Sequence, residues 1–491
     1  MRASGVLLPV SSLPSKYGIG SFSKEAFEFV DQLKRGGQKY WQILPLGPTG
    51  EGDSPYQSFS TFAGNPYFID LETLIEEGLL TREECDSVDF TGHPAYVEYE
   101  KIYCGRFPVL KKAFQRFVPD QAFYDFVEEN KFWLEDYGLY MAIKNSLNGI
   151  SWSEWEDSLK RRMPEALEQK RQELTEEIQF VYFQQYEFMK QWSKLKQYAN
   201  DNGIRIIGDI PIYVAFDSAD AWANPELFQF DEACNPIGVA GCPPDAFAAT
   251  GQLWGNPLYD WDYHRETGYA WWIQRLRYCY KLYDVVRVDH FRGFDEYYAI
   301  PFGHETAQYG KWEKGPGIEL FQAVKKELGN VDIIAEDLGY LTESVIQLVK
   351  DTGYPGMKVL QFAFDSREES DYLPHNYNHN CVVYTGTHDN NTILGWLDEM
   401  APHDRDFALR YMNNYHTPHY EMPWDFIRLA MGSVAELAVT PIQEFLCLGG
   451  EARINRPSTL GTNWKWRLTP GQITDQVIGR MYEMTKLYGR L

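Results

Sequence analysis

Ionisable side chains alternate with valines in the segment "VVRVDH" (285–290). In a β-strand, Arg287 and Asp289 share one face about 7 Å apart, while Val286 and Val288 share the other. Arg287 can then hold the Asp289 carboxylate and keep it ionised. Such a carboxylate at a strand end is suited to act as a nucleophile or to stabilise a cation. The structural alternative is an aspartate that caps the next helix and pairs with the arginine.

Three further apolar runs end in similar side chains. Asp209 lies in "RIIGDIP", Glu336 lies in "IIAEDLG", and His388 and Asp389 lie in "VVYTGTHDNN". If these runs are strands of one parallel barrel, their carboxyl ends meet at its catalytic face. Gathering unpaired carboxylates at one place costs free energy of folding. The repetition therefore favours a catalytic role over a series of helix caps.

Paired carboxylates of this kind are what the cleavage of a glycosidic bond requires. One carboxylate attacks or supports the cationic carbon, and the other, with a raised pKa, protonates the departing oxygen. The charges of Asp289 and Asp389 are expected to raise the pKa of Glu336. The carboxylates do not form a compact oxygen cage such as an EF-hand loop, so we expect neither a metal nor another cofactor.

Eight short apolar runs have the near-continuous Val, Ile and Leu content of parallel strands that are covered on both faces. They span residues 4–10, 40–46, 205–214, 284–291, 332–339, 357–364, 380–390 and 436–446. Helical patterns at 23–37 and 342–353 separate some of them and end at Gly36–Gly37 and Gly353. This order predicts an α/β fold, a (β/α)8 barrel. A doubly wound sheet is the alternative that periodicity leaves open.

A barrel of this kind takes about 250 residues, so about half of the 491-residue chain must be insertion. We therefore expect one catalytic domain over residues 1–491, with a helical subdomain at 67–200 and a second insertion at 215–283. The second insertion includes a loop at 241–261 that lacks a helical period. Loops of this length are usually functional or disordered.

The overall composition excludes several classes of partner. The formal net charge of −24 argues against nucleic-acid binding as the function, since such binding needs clustered Lys and Arg. Seven cysteines without metal-ligand spacing fit reduced thiols in a cytoplasmic enzyme. The sequence has no run of about 18 apolar residues, so we expect no membrane span. Aromatic residues make up 16% of the chain and offer stacking surfaces for a neutral substrate.

Seven motifs, in this order, make the chain resemble the amylomaltase family of 4-α-glucanotransferases in the α-amylase clan. They are "YWQILPLGPTG", "GDSPYQSFSTFAGNP", "DIPIYV", "GQLWGNPLYDW", "RVDHFRG", "AEDLG" and "GTHDNNT". The resemblance covers essentially the whole chain. It implies a (β/α)8 barrel with large, mainly helical insertions and no C-terminal β-sandwich. It also implies transfer of α-1,4-glucan segments to the 4-hydroxyl of an acceptor, with maltooligosaccharides, amylose or glycogen-derived glucans as substrates.

The resemblance also assigns roles to individual residues. It implies that Asp289 is the nucleophile, that Glu336 is the general acid/base and that Asp389 stabilises the transition state. Arg287 would orient Asp289, and His388 would hydrogen-bond the sugar at the cleavage subsite.

Further substrate-binding positions are implied by the same motifs, and packing or capping is the alternative for several of them. They are Asp209, which lies where the clan has another active-site carboxylate, Ser54 and Tyr56 in the loop after the second run, Asp245, Phe247 and Trp254 near the acceptor sugars, and Asn463 on the donor side. A packed loop is the alternative for Ser54 and Tyr56, and a capping amide is the alternative for Asn463.

The chain departs from the family pattern at three places. Ala246 and Ala249 stand where relatives often carry Tyr and Glu, which changes the expected grip on acceptors. Glu51 stands where some relatives carry an aromatic residue of a secondary glucan groove, and a carboxylate cannot stack on a sugar. There are two alternatives to glucan transfer. A plain α-glucan hydrolase would share all three carboxylates, whereas an inactive glucan-binding protein would tolerate the loss of one, and none is missing here.

Overall fold

The computed structural model describes residues 2–50, 52–244, 249–339 and 341–491. Its strands are β1 (Ala3–Leu7), β2 (Tyr40–Gln42), β3 (Arg205–Pro211), β4 (Gly238–Cys242), β5 (Gln252–Pro257), β6 (Val285–Asp289), β7 (Glu296–Pro301), β8 (Lys311–Lys314), β9 (Ile333–Ala335), β10 (Gly356–Val359), β11 (Cys381–Tyr384) and β12 (Leu437–Pro441).

The α-helices follow in chain order. They are α1 (Lys24–Arg35), α2 (Leu71–Glu76), α3 (Arg82–Asp86), α4 (Tyr99–Arg116), α5 (Gln121–Ser146), α6 (Asp157–Lys160), α7 (Pro164–Glu173), α8 (Thr175–Asp201), α9 (Ala219–Ala223), α10 (Trp261–Glu266), α11 (Ala270–Leu282), α12 (Ile318–Leu328), α13 (Glu343–Thr352), α14 (Ile393–Glu399), α15 (Pro402–Met412), α16 (Pro423–Gly432), α17 (Ile442–Phe445) and α18 (Asp475–Leu487). Within the described ranges, none of them is long and apolar enough to cross a bilayer.

Eight of the strands close into a parallel barrel in the order β1-β12-β11-β10-β9-β6-β3-β2. Each of the eight predicted apolar runs supplies one of these strands, so the barrel is confirmed and the doubly wound alternative is wrong. The apolar runs form strands because both of their faces are covered: all four residues of β11 are buried, as are four of the five in β1.

The helices that separate the strands begin and end where local chemistry dictates. In α1, Ala26, Phe29, Val30 and Leu33 form the buried face, as predicted. At α13, the Thr342 side chain caps the first turn and Gly353 ends the helix in the left-handed region at φ 71. Between β2 and β3 the chain forms α2 to α8, and between β3 and β6 it forms α9 to α11 together with β4 and β5.

A second, four-stranded antiparallel sheet was not predicted from the sequence. Its order is β5-β4-β7-β8, so it joins the insertion after β3 to a hairpin that follows β6. The expected loop at 241–261 therefore contains all of β5 and the end of β4. Beyond β12 the described residues form helices and short turns without a further strand, in agreement with the expected absence of a C-terminal β-sandwich.

Candidate active site

The register of three neighbouring barrel strands brings the predicted carboxylates together. Asp209 of β3 pairs with Arg287 of β6, so Asp289 lies two residues further towards the carboxyl end. Val288 pairs with Ala335 of β9. Asp289 directly follows Val288, and Glu336 directly follows Ala335. The backbones of adjacent strands are about 4.8 Å apart. The register therefore places Asp289 and Glu336 at equivalent positions on neighbouring strand ends.

Arg287 is the centre of the charged cluster and is 2% exposed. Its Nη1 donates to both carboxylate oxygens of Asp209, at 2.8 and 2.7 Å, and its Nη2 donates to Oδ1 of Asp289 at 3.0 Å. The hydroxyl of Tyr56 donates to Oδ2 of Asp209 at 2.7 Å. Asp209 is fully buried, so its oxygens are occupied by protein groups rather than presented to a ligand. In this structure it is a partner of Arg287 and Tyr56.

Burial and charge separate the protonation states of Asp289 and Glu336. Burial raises the pKa of Asp289, and the Arg287 guanidinium opposes that rise. Burial, and after it the charge of Asp289, raise the pKa of Glu336 to about 7. Because Arg287 bonds Asp289 directly, Asp289 is the group that ionises first and Glu336 is the one that keeps a proton. The expectation that the charge of Asp289 raises the Glu336 pKa is confirmed, and burial contributes more than that charge does.

The backbone after β6 turns sharply to support Glu336. His290 adopts a left-handed conformation at φ 55, an uncommon conformation for a residue with a side chain. Its N–H donates to Oε2 of Glu336 at 2.7 Å, and the N–H of Leu338 donates to Oε1 at 2.9 Å. Both bonds favour the ionised carboxylate and so oppose the effect of burial. Glu336 can therefore hold a proton near neutral pH and also release it.

Asp389 follows β11 and is held by a different segment of the chain. The Nδ2 of Asn455 donates to its Oδ1 at 2.6 Å, and the Nε2 of His388 lies 3.3 Å from the same oxygen. Arg453 donates from Nη2 to the Asp389 carbonyl at 2.8 Å. The Asp389 side chain is still 44% exposed, so it remains open to a ligand.

Tyr56 joins this group to the loop after β2. Its ring stacks on His388 with centroids 5.2 Å apart and an angle of 18°. Burial raises its pKa far above the ordinary value, which keeps the hydroxyl a donor to Asp209. The Oγ of Ser54 accepts from the Tyr56 N–H at 3.3 Å, so the predicted ligand Ser54 shapes this turn.

The other predicted ligands differ in their surroundings. Trp254 packs edge-on against the ring of His290 at 4.8 Å, beside the Asp289–Glu336 pair. Asn463 lies in a loop, where it accepts from the Arg456 N–H at 3.0 Å and donates to the Thr459 carbonyl at 2.8 Å, so its amide bridges this loop. Asp245, Phe247, Ala246 and Glu51 lie outside the described residues.

Sequence reasoning missed three residues that the structure brings to this site. Asn455 and Arg453 bond Asp389, and Tyr213 packs near Trp254 with centroids 6.4 Å apart. Arg453 and Asn455 lie in an irregular segment after β12, where no periodicity marks them. Tyr213 lies in the quoted motif "DIPIYV" and could have been considered from its neighbourhood to Asp209.

The fold and the site define a (β/α)8-barrel enzyme whose carboxylates gather at the carboxyl ends of adjacent strands. Residues 8–474 match the sequence model of the 4-alpha-glucanotransferase family, and the chain belongs to that family.

Individual relatives agree over their full length. A 4-alpha-glucanotransferase of Clostridium butyricum is 49% identical over 98% of this chain and 99% of its own. One from Streptococcus pneumoniae serotype 4 is 51% identical over 100% of this chain and 98% of its own. The solved amylomaltase of Streptococcus agalactiae, in complex with acarbose, is 43% identical, with a TM-score of 0.97 and complete coverage of both chains.

Proposed function

We propose that this protein transfers segments of α-1,4-glucan from a donor to the 4-hydroxyl of an acceptor glucan or glucose, by a retaining double displacement. Asp289 is the nucleophile, Glu336 the general acid/base and Asp389 the stabiliser of the transition state. The observation that carries the proposal is the Asp289–Glu336 pair, in which one carboxyl bonds Arg287 and the other has a pKa of about 7. Retention needs a nucleophile and a general acid/base about 5 Å apart, and the register of β6 and β9 places Asp289 and Glu336 at neighbouring strand ends.

In the first step, a carboxylate oxygen of Asp289 bonds to the anomeric carbon. The glycosidic bond breaks, and the departing 4-oxygen takes the proton of Glu336. In the second step, the Glu336 carboxylate takes a proton from the acceptor 4-hydroxyl. The acceptor oxygen then bonds to the anomeric carbon and displaces Asp289. Two inversions restore the α-configuration, and Glu336 ends protonated, ready for another cycle.

The substrate class rests on the family and on the site. The relatives are named 4-alpha-glucanotransferases, and the S. agalactiae enzyme is described in complex with acarbose. We therefore infer that the substrates are maltooligosaccharides, amylose or glycogen-derived glucans. His388, Tyr56 and Trp254 are the nearest groups that could contact the sugars, and Ser54, Asp245, Phe247 and Asn463 complete the proposed set. Arg287 and Asp209 act through Asp289.

Two further expectations stay proposals. One is a division into a barrel with a helical subdomain at 67–200 and a second insertion at 215–283. The other is a cytoplasmic location, which fits the seven cysteines.

The test is incubation of the pure protein with maltotriose. Transfer produces free glucose together with a series of longer maltooligosaccharides, while the number of reducing ends stays almost constant. Chromatography of the products and a reducing-end assay on the same samples measure both quantities. If the reducing ends rise steadily and no chain longer than maltotriose forms, the protein is an α-glucan hydrolase and the proposal is wrong. If nothing changes at all, it is an inactive binding protein.

A further inference from the structure

Strand β5 is irregular where it passes the candidate active site. Its register with β4 places three residues, 254–256, opposite the single residue Ala240. Gly255, at the centre of this bulge, has a φ of +78, which a residue with a Cβ adopts only under strain. Bulges redirect side chains and are common beside active sites. This one directs Trp254 and Asn256 to two different parts of the site.

Trp254 lies on the side of the general acid/base. Its ring contacts the His290 ring edge-on at 4.8 Å, and the N–H of His290 donates to Glu336 at 2.7 Å. Tyr213 packs near both rings, with centroid distances of 6.4 Å to each. A displacement of Trp254 would therefore alter the surroundings of Glu336, which an acceptor must approach.

Asn256 joins the bulge to two other segments through its amide, and it is 5% exposed. Its Nδ2 donates to the Val214 carbonyl at 2.7 Å. Because a carbonyl can only accept, the orientation of the amide is determined, and Oδ1 faces the Nε2 of Gln57, from which it accepts at 3.3 Å. One buried side chain thus connects β5, the segment after β3 and the loop after β2.

Gln57 connects this amide to the loop after β2. It directly follows Tyr56, whose hydroxyl donates to Asp209 at 2.7 Å and whose ring stacks on His388 at 5.2 Å. The bond between Gln57 and Asn256 is therefore a direct link between the loop that contacts the Asp209–Arg287 cluster and the strand that carries Trp254.

We propose that Asn256 is a positioning residue that holds Trp254 in register with the loop containing Tyr56. This register sets the share of the glucosyl-enzyme that is passed to a sugar rather than to water. The inference rests on the proposed function. Its physical basis is that an acceptor competes with water through its effective molarity, which falls steeply when bound groups are misplaced by about 1 Å. Asn256 has no part in forming the glucosyl-enzyme.

The test compares two half-reactions in variants of this amide. Asn256→Ala removes both hydrogen bonds of the Asn256 amide. Gln57→Ala removes only the bond between Gln57 and Asn256. With α-glucosyl fluoride and no acceptor, we expect Asn256→Ala to release the first equivalent of fluoride, which reports formation of the glucosyl-enzyme, within about twofold of the wild-type rate. With maltotriose, we expect the ratio of hydrolysis to transfer to rise about tenfold and the KM for an added glucose acceptor to rise with it. Gln57→Ala should shift the ratio in the same direction, and the double variant should add little.

Asn200→Ala is the matched control, because the amide of Asn200 likewise makes two hydrogen bonds, donating to the Ile204 carbonyl at 3.1 Å and to Asp284 at 2.8 Å. Those groups precede β3 and β6, at the end of the barrel away from the carboxylates. The control should lower the melting temperature and leave the ratio unchanged.

The inference is overturned if Asn256→Ala lowers transfer and hydrolysis equally, or if Asn200→Ala shifts the ratio as much. If Asn256→Ala does not fold, the inference is tested by Gln57→Ala, which lies on the partly exposed loop. An unchanged ratio in Gln57→Ala would overturn the inference as well. Failure of the proposed function is a separate result, since it would be seen in the wild type as the absence of longer products.

Discussion

Replacing Glu336 by Gln should change the pH dependence of both activity and stability. Its pKa is about 7 in the folded protein, against 4.5 for an ordinary glutamic acid. The first step needs the protonated form, so kcat/KM of the wild type should fall above about pH 7. In Glu336→Gln, turnover of maltotriose should fall by a factor of about 10² to 10⁴. α-Glucosyl fluoride, whose leaving group needs no proton, should still form a glucosyl-enzyme on Asp289.

The stability effect has a definite sign. A folded-state pKa above the unfolded value gives stability that is fully present below about pH 4.5 and is lost as the pH rises through about 7. The full shift corresponds to about 3 kcal/mol at about 1.4 kcal/mol per unit, an upper figure because the side chain is partly exposed to the cleft. For a chain of 491 residues, about 3 kcal/mol is about 3 °C in melting temperature.

The assay is a pair of melting curves for wild type and variant at each pH from 5 to 9. The glutamine loses one acceptor for the N–H groups of His290 and Leu338, so the variant should melt lower at pH 5. The difference, variant minus wild type, should then become more positive by up to about 3 °C between pH 5 and 8. Glu327→Gln, at an exposed position of α12, controls for the substitution itself. The assignment of Glu336 would be refuted if the difference in melting temperature did not change with pH. It would also be refuted if the wild-type rate of glucosyl-enzyme formation from α-glucosyl fluoride still fell above about pH 7.

Three other substitutions test separate parts of the site. Asp289→Asn should lower kcat by several orders of magnitude and leave the melting curve cooperative; a variant with a tenth of normal activity would rule out a covalent nucleophile. Tyr56→Phe removes a donor to the buried Asp209 and should lower kcat/KM by about tenfold with little change in KM, since bonds to charged groups are worth about 1.5–3 kcal/mol. Trp254→Ala should raise the share of hydrolysis measured by reducing ends, and an unchanged share would remove Trp254 from the acceptor side.

The barrel could be predicted because of how its strands are buried. A parallel strand that is covered on both faces must be apolar at nearly every position, and this leaves a run that can be read directly, as in β11. The second sheet left no such trace. Strand β4 is "GVAGC", whose glycines have low strand propensity, and three of the four residues of β8 are charged. These strands form because they pair with one another, which no local pattern records.

The site could be predicted in its position but only partly in its geometry. Spacing placed Asp289, Glu336 and Asp389 at strand ends, and the register brings Asp289 and Glu336 side by side. Spacing could not reveal which carboxylates face the cleft: Asp209 turned out to be fully buried. Burial is also the main cause of the raised Glu336 pKa, and burial depends on the whole fold. Asn455 has no signal because its partner lies far away in the sequence.

Under the proposed mechanism, the balance of charge in the cluster would favour the transition state over the bound substrate. One guanidinium, that of Arg287, faces the carboxyl groups of Asp209 and Asp289, while Glu336 holds a proton near neutral pH. The cluster therefore carries more acidic groups than it can neutralise, which is unfavourable in a mostly buried setting. An uncharged sugar does not relieve that imbalance. A developing positive charge at the anomeric carbon, beside Asp289, does relieve it, so the attraction is strongest where the barrier is highest.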